Sequence, residues 1–317
     1  IGCYSSVDLY NWKNEGVALA VTDDPGSEIV RGCVMERPKV IHNRKTGKFV
    51  MWFHLELKDM DYRAARTAVA VSDRVSGPYT YLHSYRVNAG EWPLGFREEL
   101  KSTNAGPEPE SWTPEWIAAV EEGFFVRRDY REGQMSRDMT LFVDDDGTAY
   151  HIHASEENLT LHISELTHDY LDFTGKWNRV FPGGHNEAPS ICKRKGIYYM
   201  ITSGCTGWEP NAGRSAMAES IWGPWTALGN PFRGEHSELS FHSQSTFLLP
   251  YGEYGEDFIY MGDRWKPGNP IDGRYIWLPV RFEDNKPVIE WLDDWDLSCF
   301  SRSTSTLAGK SLSEYNI

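Results

Sequence analysis

Short apolar runs recur along the chain in pairs, each pair joined by a tight polar turn. The first pair is Pro38-Lys39-Val40-Ile41-His42 and Lys48-Phe49-Val50-Met51-Trp52-Phe53, turning at Lys45-Thr46-Gly47. The second is Met139-Thr140-Leu141-Phe142-Val143 and Ala149-Tyr150-His151-Ile152-His153, turning at Asp145-Asp146-Gly147. A third runs from Ser190 through a Lys193-Arg194-Lys195-Gly196 turn and returns over Ile197-Tyr198-Tyr199-Met200-Ile201-Thr202-Ser203. A fourth joins Ser245-Thr246-Phe247-Leu248-Leu249 to Asp257-Phe258-Ile259-Tyr260-Met261. Thr-Gly and Asp-Gly between apolar runs are strong hairpin signals, because glycine takes the positive φ that a tight turn needs.

A further strand with a polar turn follows each hairpin, at residues 69–79, 162–167, 217–225 and 275–280, the last closing with 288–291. Residues 4–12 read as a similar unit without a preceding hairpin, which makes five copies. Hairpins with outer strands, repeated radially, predict an all-β, five-bladed β-propeller over residues 1–299, its first blade incomplete in this chain. A β-sandwich would not explain a repeat with this internal order. Residues 83–131 interrupt the pattern as a polar insertion, with one helix expected at Thr113-Pro114-Glu115-Trp116-Ile117-Ala118-Ala119-Val120-Glu121. Thr113 is its N-cap and Pro114 its first helical residue. Residues 300–317, rich in Ser and Thr, read as a polar C-terminal tail.

Composition narrows the partners. A net charge of −14 argues against nucleic acid and anionic membranes. No apolar run reaches the length of a membrane-spanning helix. The opening residues, Ile1-Gly2-Cys3-Tyr4-Ser5-Ser6, read as a strand rather than a leader. Aromatic residues make up 14% of the chain; they favour strands and also serve as stacking platforms for sugars. The five cysteines, Cys3, Cys33, Cys192, Cys205 and Cys299, show no CxxC spacing and read as buried thiols, with one bridge left open.

The chemistry is expected where the inner strands begin. In a propeller those points converge on one end of the central channel. The four heads read Glu36-Arg37-Pro38, Ser136-Arg137-Asp138-Met139, Asn186-Glu187-Ala188-Pro189 and His242-Ser243-Gln244-Ser245. Converging acids are what glycoside hydrolysis needs, one carboxyl protonated and another group handling water. Crowding raises one carboxyl's pKa and prepares a general acid. Glu187 is the candidate acid, Asp138 its modulator by charge repulsion, and Glu36 a ligand for sugar hydroxyls. Structural ion pairs, such as Arg37 with a carboxylate, are the plainer reading of the same residues. The loop Thr206-Gly207-Trp208-Glu209-Pro210-Asn211 follows the strand returning from Glu187 and should overhang the pocket. Trp208 is read either as a sugar platform or as a core tryptophan.

Ser136-Arg137-Asp138-Met139, Glu187-Ala188-Pro189 and the blade endings Ser-Gly-Pro-Tyr (76–79) and Trp-Gly-Pro-Trp (222–225) make the chain resemble glycoside hydrolase family 43 from Tyr4 to about Leu297. The resemblance implies an inverting glycosidase with Glu187 as acid and Asp138 as modulator. In that family the base is an Asp on the first inner strand, which this chain is expected to lack, so the water-activating group is expected to be Gln244 or a residue on that strand. Gln-Ser-Thr-Phe (244–247) and Thr-Gly-Trp-x-Pro-Asn (206–211) resemble the exo-β-1,3-galactanase branch. There a Gln is proposed to handle the water; Gln244 matches it, read either as that group, with His242 as relay partner, or as a buried amide that fixes the water or a sugar hydroxyl. Thr206, Asn211, Trp208, His242 and Glu36 are the expected substrate-binding residues. Glu187 and Gln244 are expected to stand ~6.5–9.5 Å apart, the gap an inverting enzyme leaves for water.

The expected substrate is the β-1,3-galactan backbone of arabinogalactan, with galactose released from chain ends. An α-L-arabinofuranosidase or β-xylosidase, or a non-catalytic sugar-binding propeller, are the alternatives. No cofactor is expected to be required, a structural Ca2+ is left open, and the protein is expected to be a monomer. The sequence leaves the compartment open; a polysaccharide substrate favours a secreted or periplasmic location over a cytoplasmic one. Weaker signals are read plainly: His151, His153 and His162 as strand residues rather than a zinc site, Asp144-Asp145-Asp146-Gly147 as a turn rather than a calcium loop, and Asn158-Leu159-Thr160 as a chance glycosylation pattern.

Overall fold

The computed structural model describes residues 1–252 and 255–300. The tail expected over 300–317 therefore lies, beyond Phe300, outside the described residues. The chain's sheets are antiparallel almost throughout. A two-stranded sheet comes first, β1 (Gly2–Ser5) with β2 (Lys13–Val17). The first blade is β3 (Val34–Asn43), β4 (Lys48–Glu56), β5 (Arg66–Ser72) and β6 (Thr80–Tyr85). The second is β7 (Met139–Val143), β8 (Ala149–Ser155), β9 (Thr160–Leu166) and β10 (Phe173–Val180). The third is β11 (Glu187–Arg194), β12 (Ile197–Ser203), β13 (Arg214–Ala218) and β14 (Thr226–Gly229). The last holds β15 (Phe232–Arg233), β16 (Gln244–Tyr251), β17 (Asp257–Arg264), β18 (Arg274–Glu283) and β19 (Lys286–Glu290), with β15 parallel to β19 at its outer edge.

All four hairpins read from the sequence are present as the inner strand pairs of these blades. The blade count is not as expected: the arrangement is a propeller of four blades, with the β1–β2 sheet where a fifth was predicted. The physical reason lies in residues 6–12. Ser6 Oγ accepts from the backbone N–H of Asp8 and Leu9, and Asp8 Oδ1 accepts from those of Tyr10 and Asn11. These local bonds hold a turn in place of a strand, and Val7 is fully exposed. The small sheet lies between the first and last blades. Ile1 and Cys3 pack on the first-blade core, while the Trp12 ring meets Trp277 edge-on at 5.4 Å.

The core sits in the seams between blades. Val50, Trp52, Met139 and Leu141 fill the first seam, Ile152, Leu161, Ile191 and Met200 the second, and Tyr199, Ile201, Leu248 and Tyr260 the third. A blade buried on both faces cannot alternate apolar with polar residues, so β4, β5, β8, β9 and β12 are buried along nearly their whole lengths.

The insertion carries the expected helix, α1 (Pro114–Glu121), whose Thr113 side chain accepts from Trp116 N–H at 3.2 Å. A second short helix, α2 (Phe124–Arg128), was not anticipated. Trp116, Val120, Phe124 and Phe125 bury a small core of their own against Leu159. Arg179 on β10 donates to the carbonyls of Val120 and Glu121, at the end of α1. Its guanidinium also pairs with the fully buried Glu156, 2.7 Å away, which in turn accepts from His162. No helix among the described residues is long and apolar enough to cross a membrane.

Candidate active site

The inner strands β3, β7, β11 and β16 surround the axis, and their N-terminal ends meet at one mouth. Three of them carry a β-bulge just inside that mouth, after Glu36, Glu187 and Ser245. Two of the bulges follow from proline. Pro38 and Pro189 have no N–H for the ladder, and the residues before them, Arg37 and Ala188, sit at φ of 53° and 51°. A bulge turns the strand and re-aims its side chains. Here it directs the head residues toward the axis.

Arg37 is the hub. Its guanidinium is almost wholly enclosed and reaches Asp138 at 3.0 Å, Asp263 at 3.1 Å and, by a short contact, Gln244 Oε1. The paired carboxylates hold Arg37 well above the ordinary guanidinium range against the cost of burial. Gln244 uses its whole amide. Oε1 accepts from Arg37 and from Trp265 Nε1 at 3.1 Å; Nε2 donates to Glu187 Oε1 and to Ser203 Oγ, both at 3.0 Å. Arginine and indole can only donate, so the amide's orientation follows from its neighbours.

Glu187 is pushed up to about 7. Burial is the largest cause and the charge of Asp138 the second; Arg37, Gln244 and Cys205 pull the other way. The expectation had charge repulsion as the main cause, and the structure puts enclosure ahead of it. Asp138 acts at a distance, its own hydrogen bonds going to Arg37. Burial first, and then the charge of Glu187, pushes the Cys205 thiol up to about 12, so it remains a neutral donor.

Several predicted site residues stand elsewhere than expected. Glu187 and Gln244 are in direct contact at 3.0 Å, not separated by the width of a water and a sugar. His242 is no relay to Gln244. It ends a left-handed run at φ of 50°, 56° and 59° over Ser240, Phe241 and His242, and its ring packs on His236 at 4.9 Å. Thr206 and Asn211 spend their polar groups on their own loop: Asn211 bonds the backbone of Gly204 at 2.7 and 3.0 Å and donates to Thr206 Oγ1 at 2.7 Å. Trp208 is half-exposed at the rim, edge-on to Trp265 at 5.1 Å, so it is not a core residue. Beside it opens a cleft of about 490 Å³ lined by Trp208, Gln244, Asp263, Trp265 and His242. Glu36 lies at the same mouth, holding hydrogen bonds from Tyr62 at 2.7 Å and His54 at 3.2 Å.

The structure adds residues that the sequence reading missed. Asp263, Trp265 and Ser203 lie at or just past the ends of second strands, and Asn158, whose side-chain amide points at Glu187 from 3.5 Å, was read as a glycosylation pattern. Metal sites find no support among the described residues, where no group of three or more His, Cys, Asp or Glu is placed to hold an ion. Asp138 and Asp263 both pair with Arg37. His151, His153 and His162 are buried, with burial pushing each below its ordinary value. The Asp144 loop is a hairpin turn tied down by Lys193 at 2.6 Å, and all five cysteines are free thiols.

A propeller whose axis opens on a protonatable buried acid, a second carboxylate and an aromatic-rimmed cleft is the architecture of a glycoside hydrolase. The comparisons agree. The model of glycosyl hydrolases family 43 matches residues 116–245. A GH43 β-1,3-galactosidase solved with galactodeoxynojirimycin is 56% identical, over 93% of this chain and 86% of its own, at a TM-score of 0.89. A second GH43 β-1,3-galactosidase is 36% identical over 95% of this chain, at 0.77. An exo-β-1,3-galactanase from Phanerochaete chrysosporium, solved with β-1,3-galactotriose, is 33% identical over 91% of this chain, at 0.71. The chain spans 55% of the length of each of the latter two. Among curated proteins there is no match. The chain belongs to glycosyl hydrolases family 43, and it is a glycosidase.

Proposed function

We propose that the protein is an inverting, exo-acting glycosidase that releases galactose from the ends of β-1,3-galactan, as found in the backbone of arabinogalactan. One observation carries the reading: Glu187, pushed up to about 7, accepts a hydrogen bond from Gln244, which lines the cleft rimmed by Trp208. An acid with that pKa still carries its proton near neutrality and can give it to a departing glycosidic oxygen. Asp138 keeps the proton on Glu187 through its charge, and Glu36 binds hydroxyls of the terminal sugar. Gln244 has both donors and both acceptor positions engaged, so in this reading it orients Glu187 instead of taking a proton from water. The galactose specificity is supported by the relatives, two of them β-1,3-galactosidases and one an exo-β-1,3-galactanase.

The test is turnover of a β-1,3-galactooligosaccharide, with the anomer of the released galactose read by NMR and Glu187→Gln as control. Release of α-galactose by the wild type and its loss in the variant support the reading. Activity on arabinofuranosides or xylosides with none on galactan would replace the substrate. Absence of turnover on any of them, with sugar binding retained, would make this a binding module.

A further inference from the structure

His54 is placed between two carboxylates near the mouth. It lies on β4 opposite Glu36, and its ring is almost wholly enclosed. Nδ1 is 3.2 Å from Glu36 Oε2 and Nε2 is 2.9 Å from Glu56 Oε1. Glu56 is itself fixed, accepting from the backbone N–H groups of Ala64 and Ala65 at 2.9–3.1 Å. An acceptor on each side requires a proton on each ring nitrogen, which makes His54 an imidazolium. The two carboxylates outweigh burial and raise its pKa above the ordinary value. Tyr62, whose ring is 6.1 Å from that of His54, donates to the other oxygen of Glu36, and Arg137 stands behind Glu56.

A salt bridge that served only stability would not need one end at the site. Glu36 is different from Glu56 in this respect. Its side chain keeps about a fifth of its surface exposed (18%), whereas that of Glu56 is almost wholly covered (2%). Glu36 is also next to Arg37, the hub of the acid site, and Tyr62 feels both Glu36 and Asp138. Each Glu36 oxygen has one donor from the protein and one acceptor position left.

We infer that His54 is a positioning residue for sugar binding: clamped on its far side by Glu56, it holds the Glu36 carboxylate oriented to accept hydroxyls of the terminal sugar. The inference rests on the role given to Glu36 under the proposed function. Removing the proton from His54 takes away one donor to Glu36 and the positive charge between Glu36 and Glu56. Binding then weakens as pH rises through the His54 pKa, while the acid step at Glu187 answers to its own titration.

The experiment is KM and kcat for wild type, His54→Gln, Glu36→Gln and the double variant on β-1,3-galactobiose between pH 5.5 and 8.5. The expected His54→Gln result is a KM raised about tenfold with kcat within about threefold, and a KM that no longer rises with pH. In the Glu36→Gln background, His54→Gln should add less than about twofold, because the two act through one contact. Unchanged KM and an unchanged pH profile in His54→Gln would overturn the inference, as would effects that multiply in the double variant. If His54→Gln does not fold, Glu36→Gln decides alone: its KM is expected to be raised and flat with pH, and a retained wild-type slope refutes the idea. If wild type does not hydrolyse the disaccharide, the proposed function fails, and galactose binding by calorimetry across the same variants and pH range still reads the His54 effect.

Discussion

Gln244 donates a hydrogen bond to Glu187 across the seam between the third and fourth blades, at 3.0 Å. It makes the acid and the amide one unit, and it removes the gap that a water-handling role for Gln244 requires. Replacing Gln244 with Leu should therefore release Glu187 and strand the Arg37, Trp265 and Ser203 groups that the amide satisfies. The expected outcome is a shift of the basic limb of the pH–rate profile to higher pH, because a hydrogen bond that favours the ionised carboxylate is lost. A proton-accepting role predicts instead a collapse of kcat with no shift of that limb.

Glu187→Gln should lower kcat on a β-1,3-galactooligosaccharide by roughly 10²–10⁴-fold. An aryl galactoside with a good leaving group needs no proton and should lose much less. Comparing kcat for the two substrates in one variant separates loss of the acid from loss of the fold.

Activity of the wild type should fall as pH rises through about 7, where Glu187 loses its proton. The same titration bears on stability. The folded pKa lies above the 4.5 of an unperturbed glutamate, so between 4.5 and 7 the native state holds more protons than the unfolded chain and stability declines as pH rises. Glu187→Gln lacks this loss. It should match the wild type near pH 4 and exceed it at pH 8 by up to about 3 kcal/mol, less whatever solvent screens. Thermal melts at the two pH values check this.

Asp138→Asn removes the charge that helps keep Glu187 protonated. The basic limb should move to lower pH, and Arg37 loses one of its carboxylate partners. An unmoved limb would show that burial alone sets the acid.

Arg37→Met leaves Asp138 and Asp263 without their shared cation. Breaking an enclosed pair from one side costs about 3–5 kcal/mol. Denaturant unfolding should show that loss, with Trp208→Ala as the contrasting variant. Trp208 is half-exposed, so its removal should leave stability unchanged and raise KM several-fold.

The hairpins and the heads of the inner strands were legible because period and turn chemistry are local properties. Residues 4–12 misled because Ser6 and Asp8 bond their own backbone, which no apolar count registers. Most of the hidden site was present in the sequence in another form. Glu187 faces Ser203, Gln244 faces Asp263 and Glu36 faces His54 across their hairpins. Counting outward from each turn, with allowance for the bulge that Pro38 and Pro189 announce, brings those partners out. The contact between Glu187 and Gln244 was not legible, since it joins strands of different blades and depends on how the seam packs. Asn158 was hidden for a similar reason. It ends a turn in which Glu156, Glu157 and Asn158 all have positive φ, and that turn aims it at Glu187.

Arg179 ties the end of α1 to the buried Glu156, and Trp112 rests on His185, beside the head of β11, at 5.0 Å. The insertion is thus masonry, not a door. A wall pinned at both ends predicts that single-turnover and steady-state rates agree, which rapid-quench kinetics checks. Variation in what the enzyme accepts there must come from side chains exchanged on a fixed wall.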